Sequence, residues 1–278
     1  MTGQRKPYQA LASVYDAWTA ENKYDAWADF IQEQLRSAFG GKPARVLDVC
    51  CGTGALTRRL QDRGHHVMGV DASESMLNQA RANTAVGTEF MRAALPAAEL
   101  PNGFQAAVCT FDSVNYMAGP DELSLFLMSV GKALEPSGVF VFDVNTRHKL
   151  ETVFGSSHYG DDCGDFAYVW RNRYDPSTQC VDFLITLFLR RQEIVERNEE
   201  PYRQRWFSQE ATLHAPTQEV FERHEERHRQ RWFSHEAIRT AAAEADFEVS
   251  LVVDDYGDAP SHEESLRETW VLVKSGTS

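Results

Sequence analysis

The segment Arg45–Asp71, RVLDVCCGTGALTRRLQDRGHHVMGVD, limits what this chain can fold into more than any other. A short apolar run, Val46-Leu47-Asp48-Val49, stops at Cys50-Cys51-Gly52-Thr53-Gly54. Helical spacing follows from Ala55 to Arg63, then a second apolar run, Val67-Met68-Gly69-Val70, closed by Asp71. Strand, glycine turn, helix and strand in that order make one βαβ unit. Gly52 and Gly54 remove side chains where backbone must approach a ligand closely. The first helix turn offers unpaired N–H groups to an anionic or polar ligand. A carboxylate at Asp71, ending the second strand, can accept hydrogen bonds from both ribose hydroxyls of a nucleoside.

Two nucleoside cofactors suit this outline. A nicotinamide or flavin site needs G-x-G-x-x-G, but Thr57 stands at the third glycine position. Asp48, before the turn, sits badly beside a pyrophosphate. It sits well beside the amino group and sulfonium of S-adenosylmethionine, which is cationic. The string VLDVCCGTGAL resembles motif I of class I S-adenosylmethionine-dependent methyltransferases, and VDASESMLNQAR resembles the motif that follows it. The resemblance implies an α/β fold: a seven-stranded, mostly parallel Rossmann-like sheet with helices on both faces, plus a small antiparallel lid sheet. It divides the chain into an N-terminal helical cover (1–40), a cofactor-binding core (41–153 and 234–278) and an inserted lid or substrate subdomain (154–233).

Composition narrows the partners. With 278 residues and 42% hydrophobic content the chain can bury one large core, with or without an inserted subdomain. No apolar run approaches the ~20 residues of a membrane span, so no membrane partner is expected. The start, MTGQRKPYQALAS, carries no secretion signal, and a cytoplasmic location is expected. Five cysteines, two of them adjacent at Cys50 and Cys51, form neither a disulfide framework nor a zinc pattern, and no metal is expected. A net charge of −13 argues against a nucleic-acid substrate. The Arg-rich stretch 190–231 does not override that average, since its nine Arg are matched by nine Glu.

Residues 8–39 place Leu11, Val14 and Trp18, then Trp27, Phe30, Ile31 and Leu35 at helical spacing, an amphipathic cover over one edge of the core. In the family that this segment resembles, the element closes over the methionine end of the cofactor. That implies a cofactor contact from Tyr15 and a cofactor or substrate contact from Tyr24, with Trp18 bordering the substrate. Ser73 is a good N-cap for the helix after Asp71. There the likeness implies cofactor contacts from Ala72 and from Met76 against the adenine, beside those of Asp48, Cys50, Gly52, Gly54 and Asp71. Around Glu89–Leu95 the family pattern has an Asp that accepts from the adenine amino group, where this chain has Ala94. The backbone contact of Leu95 survives, and the lost hydrogen bond is worth about 0.5–1.5 kcal/mol.

Phe104–Thr110 reads as the fourth strand and delivers Phe111-Asp112-Ser113-Val114-Asn115-Tyr116 at its carboxyl end, where open α/β sheets bind ligands. FDSVNY and the later FDVNTRHKLETVFG resemble a bacterial subgroup that methylates small molecules, including the amino groups of deoxysugars. The resemblance implies that Phe111, Asp112 and Ser113 border the cofactor, while Asn115 and Tyr116 point to the acceptor. A helix is read at Leu123–Leu134, a turn at Pro136–Gly138 and a strand at Val139–Asp143. Phe166–Tyr174 and Cys180–Arg190 alternate as a hairpin. WRNRYD, with Trp170, and the later Glu225, His228 and Arg231 fall on the subgroup's lid pattern. Ser234 caps a helix to Asp246, and Phe247–Asp254 and Thr269–Lys274 are the last strands. Residues 199–211 recur as 225–237 with ten of thirteen positions identical. The second copy is the family element. The first is either an added wall of the acceptor pocket or a dimer contact, hence a homodimer through the lid, or a tolerated surface insertion.

Methyl transfer from a sulfonium needs neither metal nor covalent enzyme intermediate. It needs a base only where the acceptor must lose a proton. Catalytic candidates are Glu21 with Tyr24, three apart on one helical face, and His228; substrate candidates are Trp18, Asn115, Tyr116, Trp170 and Arg231. An amine nitrogen of a small molecule of bacterial secondary metabolism is the expected acceptor. The aromatic residues of the lid and N-terminal segment keep C-methylation of an indole-type metabolite open. Two other readings are a cofactor-binding protein without transfer activity and a dehydrogenase.

Overall fold

In the computed structural model, which describes residues 8–190 and 221–276, the chain enters through a turn at Leu11–Ser13, α1 (Tyr15–Trp18) and α2 (Tyr24–Phe39). The βαβ unit then forms as β1 (Arg45–Val49), α3 (Ala55–Asp62) and β2 (His66–Asp71). It is followed by α4 (Glu74–Asn83), β3 (Glu89–Arg92), β4 (Phe104–Cys109), α5 (Pro120–Ala133) and β5 (Leu134–Asn145). A smaller set of strands comes next: β6 (His158–Asp162), β7 (Phe166–Asp175), β8 (Cys180–Arg190) and β9 (Phe221–Arg231). The chain returns through α6 (His235–Glu244), β10 (Phe247–Asp254) and β11 (Arg267–Lys274).

Seven strands make one sheet in the order β10-β11-β5-β4-β1-β2-β3, antiparallel only where β11 meets β5 and β10. The central strands are apolar on both faces, as a parallel sheet covered by helices requires. Side chains alternate between those faces. Leu47, Val49, Ala107, Cys109, Phe140 and Phe142 pack under α5 and α6, and Val46, Ala106, Val108, Val139 and Val141 pack under α2 and α3. The same alternation sends Asp48 toward α3, where Thr57 donates its hydroxyl to it at 2.5 Å.

The second sheet, β6-β7-β8-β9, is wholly antiparallel, and its face receives Ala10 and Leu11 from the N-terminal segment. The expected cover therefore divides. The α2 face of Trp27, Ile31 and Leu35 lies on the core sheet, whereas Leu11, Val14 and Trp18 pack against the small sheet through Phe166, Tyr168, Ile185 and Leu187. The first copy of the repeat, 199–211, with Trp206 and Phe207, lies outside the described residues.

Two readings are corrected, and two elements were not read. α5 begins at Pro120, with Asp121 and Glu122 in its first turn, because proline at N1 and acidic residues start a helix before its first apolar position, Leu123. Pro136-Ser137-Gly138 does not separate helix from strand: β5 runs through it, taking up the irregularity as a register shift against β4 with Ser137 at φ 63°. A π-turn over Lys149–Phe154 and strand β6 carry no sequence signal of the kind used above.

Asn115 is a fastener between the two sheets. Its side chain is fully buried; Nδ2 donates to the carbonyls of Asn145 (3.3 Å) and Arg231 (2.8 Å), and Oδ1 accepts from the Asn145 N–H at 2.7 Å. It is part of the fold rather than a group presented to an acceptor. Asn115→Ala leaves buried backbone groups of β5 and β9 unpaired. It should lower the unfolding free energy by about 1–3 kcal/mol, read from urea denaturation.

Candidate active site

The sheet changes direction between β1 and β4: β2 and β3 lie on one side of β1, and β4 and β5 on the other. Ligands of open α/β sheets bind beyond the carboxyl ends at such a point. A cavity of about 800 Å³ opens there, within the range that holds small molecules. Asp71 at the end of β2 accepts the Gly52 N–H at 2.9 Å and the Ser73 N–H at 2.8 Å, which fixes the carboxylate at the mouth of the crevice. Burial pushes its carboxyl up, and the N–H donors of Ser73, Gly52 and Ala72 oppose that. Asp48 lies deeper. Burial pushes its carboxyl up to about 7, and the Thr57 hydrogen bond opposes that. The N-terminal cover is tied to the glycine loop through Asp16, which accepts from the Thr53 hydroxyl and, at 2.7 Å, from Asn83 Nδ2.

The two loop glycines have different reasons. A Cβ on Gly52 (φ +55°) meets no protein atom within 4 Å, so the space in front of the loop is clear. A Cβ on Gly54 would meet Ala80 of α4 and Thr84 just beyond it at 3.1–3.3 Å, and its φ of +78° is left-handed. The packing of the loop on α4 by itself requires glycine at 54.

A second cavity, of about 280 Å³, lies between the crevice and the small sheet. Tyr8, Tyr15, Phe111 and Tyr116 line both spaces and form the wall that they share. Burial raises the phenols of Tyr8, Tyr15 and Tyr116, so they stay protonated and donate. Tyr8 donates to Tyr116 at 2.7 Å, and Tyr116 meets His228 Nδ1 at 3.1 Å. Aromatic faces from Trp18, Phe154, Trp170 and Phe183 surround the rest of the second cavity, with Asp112, Lys149 and Gln230 at its wall.

Phe111 and Asp112 sit between the cavities in left-handed backbone conformations, φ 60° and 55°. Two adjacent non-glycine residues in that region are strained and must be held. Asp143 of β5, fully buried, does so: its carboxylate accepts the N–H groups of Phe111 (2.7 Å) and Asp112 (2.6 Å) and the hydroxyl of Tyr256 (2.5 Å). Arg267 of β11 supplies the countercharge, 3.6 Å from Asp143 and 3.5 Å from Asp112, with its guanidinium over Trp27 and Phe111.

Of the residues singled out from sequence, Tyr15, Tyr24, Asp48, Cys50, Asp71, Ala72, Met76, Leu95, Phe111, Ser113 and Tyr116 line the crevice. Trp18, Trp170 and His228 line the second cavity. Asp112 faces that second cavity, not the crevice, because its carboxylate is drawn to Gln230 and Arg267. Tyr24 borders the crevice alone, its hydroxyl 3.5 Å from Thr19. Glu21 does not share its helical face: α1 ends at Trp18, and Glu21 stands exposed in the turn before α2, outside both cavities. Ala94 is exposed and lines neither cavity. Arg231 reaches the site only through its carbonyl, which accepts from Asn115. Sequence reasoning missed Tyr8, Asn22, Lys149, Glu226 and Gln230. Lys149 lies inside a string that matched the small-molecule subgroup, and Glu226 and Gln230 lie inside the repeated segment 225–237, so these three were open to notice; Tyr8 and Asn22 have no local pattern.

Comparison with known proteins agrees with this geometry. Residues 46–138 match a family model described as a methyltransferase domain. The chain is 31% identical over 203 residues to "Putative methyltransferase YqeM" of Bacillus subtilis, covering 72% of this chain and 80% of that one. It is 32% identical over 134 residues to the dTDP-3-amino-3,4,6-trideoxy-alpha-D-glucopyranose N,N-dimethyltransferase of Streptomyces venezuelae, covering 48% and 56% of the two chains. A solved S-adenosylmethionine-dependent methyltransferase from Clostridium acetobutylicum superposes with a TM-score of 0.76 at 25% identity, over 97% of this chain and 99% of that one.

The Asp143 cluster makes a prediction independent of any ligand. Asp143→Ala removes one of the three carboxylates around Arg267, the others being Asp112 and Asp255, and releases two strained residues, so unfolding free energy should fall by about 1–3 kcal/mol in denaturant titration. Tyr256→Phe, which removes one of the three donors, should cost only about 0.5–1.5 kcal/mol.

Proposed function

Because the chain belongs to the S-adenosylmethionine-dependent methyltransferases, we propose that it methylates an amine nitrogen of a compact, oxygen-bearing small molecule seated in the second cavity. The cofactor supplies a methyl group already activated on a sulfonium, which leaves the protein to align the acceptor, exclude water and accept a proton. The crevice residues fit that cofactor. Asp48 is a buried carboxylate, suited to the ammonium of the methionine portion. Asp71 stands at the mouth for the ribose hydroxyls, and Met76 and Leu95 offer apolar surface to the adenine. On this reading 41–153 and 234–278 hold the cofactor, while 1–40 and the small sheet within 154–233 close around the acceptor.

The observation that carries the proposal is the shared wall. Tyr8, Tyr15, Phe111 and Tyr116 separate the two spaces, and behind Tyr116 stands His228. A proton leaving the acceptor nitrogen passes to a phenol oxygen of that wall as the phenol proton passes to His228. His228 thus takes the role of base, and Glu21 has none. The polar groups of the second cavity favour a polar acceptor over an indole: Asp112, Lys149 and Gln230 stand at its wall, while the aromatic walls take the apolar faces of a ring. Likeness to the Streptomyces venezuelae amino-sugar enzyme supports the same class.

Incubation with S-adenosylmethionine and a matched panel of nucleotide-linked amino sugars and indoles, read by mass spectrometry, tests the proposal. N-methylated amine products are expected. C-methylated indole alone overturns the amine reading. Tight S-adenosylhomocysteine binding with no product from any acceptor favours a binding protein without transfer activity.

A pH dependence follows from Asp48. A folded-state carboxyl raised to about 7 is half protonated near neutrality, and a bound ammonium drives its proton off. Affinity for S-adenosylhomocysteine should rise roughly tenfold from about pH 6 to about pH 8 and flatten above. Calorimetric titration of the wild type against Asp48→Asn, which should lose the rise, measures it.

A further inference from the structure

Glu226 lies next to the site but touches neither cavity. It is buried on β9, 1% exposed, and its carboxylate gathers the N-terminal segment. Oε2 accepts the Tyr8 N–H at 2.7 Å, and Oε1 accepts the N–H groups of Ala10 (2.6 Å) and Leu11 (3.2 Å). On its other side Oε2 stands 3.4 Å from His228 Nε2, an ion-pair contact without hydrogen-bond geometry. Burial by itself pushes a carboxyl up, yet the His228 contact and the Ala10 and Leu11 donors outweigh it and hold Glu226 below its ordinary value. One ionised carboxylate therefore serves two tasks that are far apart in sequence.

The segment it holds crosses the site. Tyr8 lines both cavities, its ring centroid lies 4.9 Å from that of His228, its hydroxyl bonds Tyr116, and its carbonyl accepts from Ser73 at 3.2 Å. Among the described residues, Tyr8 and Gln9 are the only cavity liners before Leu11. Without the Glu226 contacts the three strap N–H groups have no partner among the described residues, and the buried His228 ring loses the carboxylate beside Nε2 while Nδ1 faces Tyr116.

We propose that Glu226 is a positioning residue that locks the Tyr8–Leu11 strap over both cavities and, through the same carboxylate, supplies the countercharge for the imidazolium that forms when His228 takes the acceptor's proton. The proton relay is then complete only with the strap down. This rests on the reading of His228 as base. In the transfer the nitrogen pair forms the new N–C bond and the S–C pair returns to sulfur. The nitrogen's proton reaches the Tyr8–Tyr116 phenols and, by exchange, His228 Nδ1, leaving Glu226 ionised beside an imidazolium.

The test compares Glu226→Gln, His228→Asn and Tyr8→Phe in the full chain, using the acceptor that the panel identifies and amide hydrogen exchange of residues 8–11 without acceptor. Glu226→Gln should lower kcat by about tenfold or more with little change in the acceptor KM, and should speed exchange at Ala10 and Leu11 by about tenfold or more. His228→Asn should lower kcat by about 10²–10⁴-fold while the strap amides keep their protection. Tyr8→Phe, which leaves the carboxylate and the backbone contacts intact, should lower kcat with the strap still protected. Wild-type kcat in Glu226→Gln or Tyr8→Phe, or unchanged exchange in Glu226→Gln, overturns the proposal. Wild-type kcat in His228→Asn instead overturns the base assignment beneath it, while the exchange data still decide whether Glu226 locks the strap.

Discussion

A single buried carboxylate, Asp143, conditions everything that happens between the two cavities. It sits on β5, in the middle of the sheet, and receives two backbone N–H groups from the end of β4, the Tyr256 hydroxyl and the Arg267 charge from β11. An ion buried without partners is costly, so this arrangement stands only because each oxygen is used. What the network stabilises is the left-handed pair Phe111–Asp112. Extended backbone there would carry the chain on past the sheet. The turned pair instead aims Phe111 at the shared wall and Asp112 at the second cavity. Strain at the site is thus offset by a cluster drawn from three strands.

The cofactor half was legible in the sequence because its chemistry is local. Asp48, the glycine turn, Asp71, the Ser73 cap and Met76 lie within one βαβ unit and the helix after it, and Asp48, Asp71, Ser73 and Met76 all line the crevice. Periodicity located the strands for the same reason: β1 and β4 are apolar on both faces, and β7 with β8 alternates. Even there, motif likeness hid a physical difference, for a side chain at Gly54 is blocked by α4 while one at Gly52 is not.

The acceptor half was legible only in part, and the reason is topological. Its wall combines Tyr8, Trp18, Asp112, Lys149, Trp170 and His228, six residues from six stretches of chain. Spacing rules speak to neighbours within one element and are silent across such distances. Glu21 and Tyr24 illustrate the failure, since a three-residue spacing means a common face only inside one helix, and α1 ends before Glu21. Asn115 illustrates the opposite error. It looked presented because it follows a strand end, yet it closes hydrogen bonds between β5 and β9 that nothing local announces.

This division has a functional logic. The crevice draws Asp48 to Met76 from one βαβ unit and the helix after it, while Tyr8, Tyr15, Tyr24, Phe111 and Tyr116 close it from other stretches. On the proposed reading, the second cavity must be shut against water at the moment of transfer and open before it. A wall drawn from separate segments can do that, provided some contact reports that all of them have arrived. In this chain the small sheet meets the N-terminal segment through apolar packing of Leu11 and Trp18 on Ile185 and Tyr168, which is non-directional and tolerates sliding. Directional bonds fix the remaining freedom: Asp16 ties the cover to the glycine loop, Asn115 ties the small sheet to β5, and the Glu226 carboxylate ties the strap to β9. Apolar contact brings the segments together, and a few buried polar contacts set the register in which the two cavities share one wall.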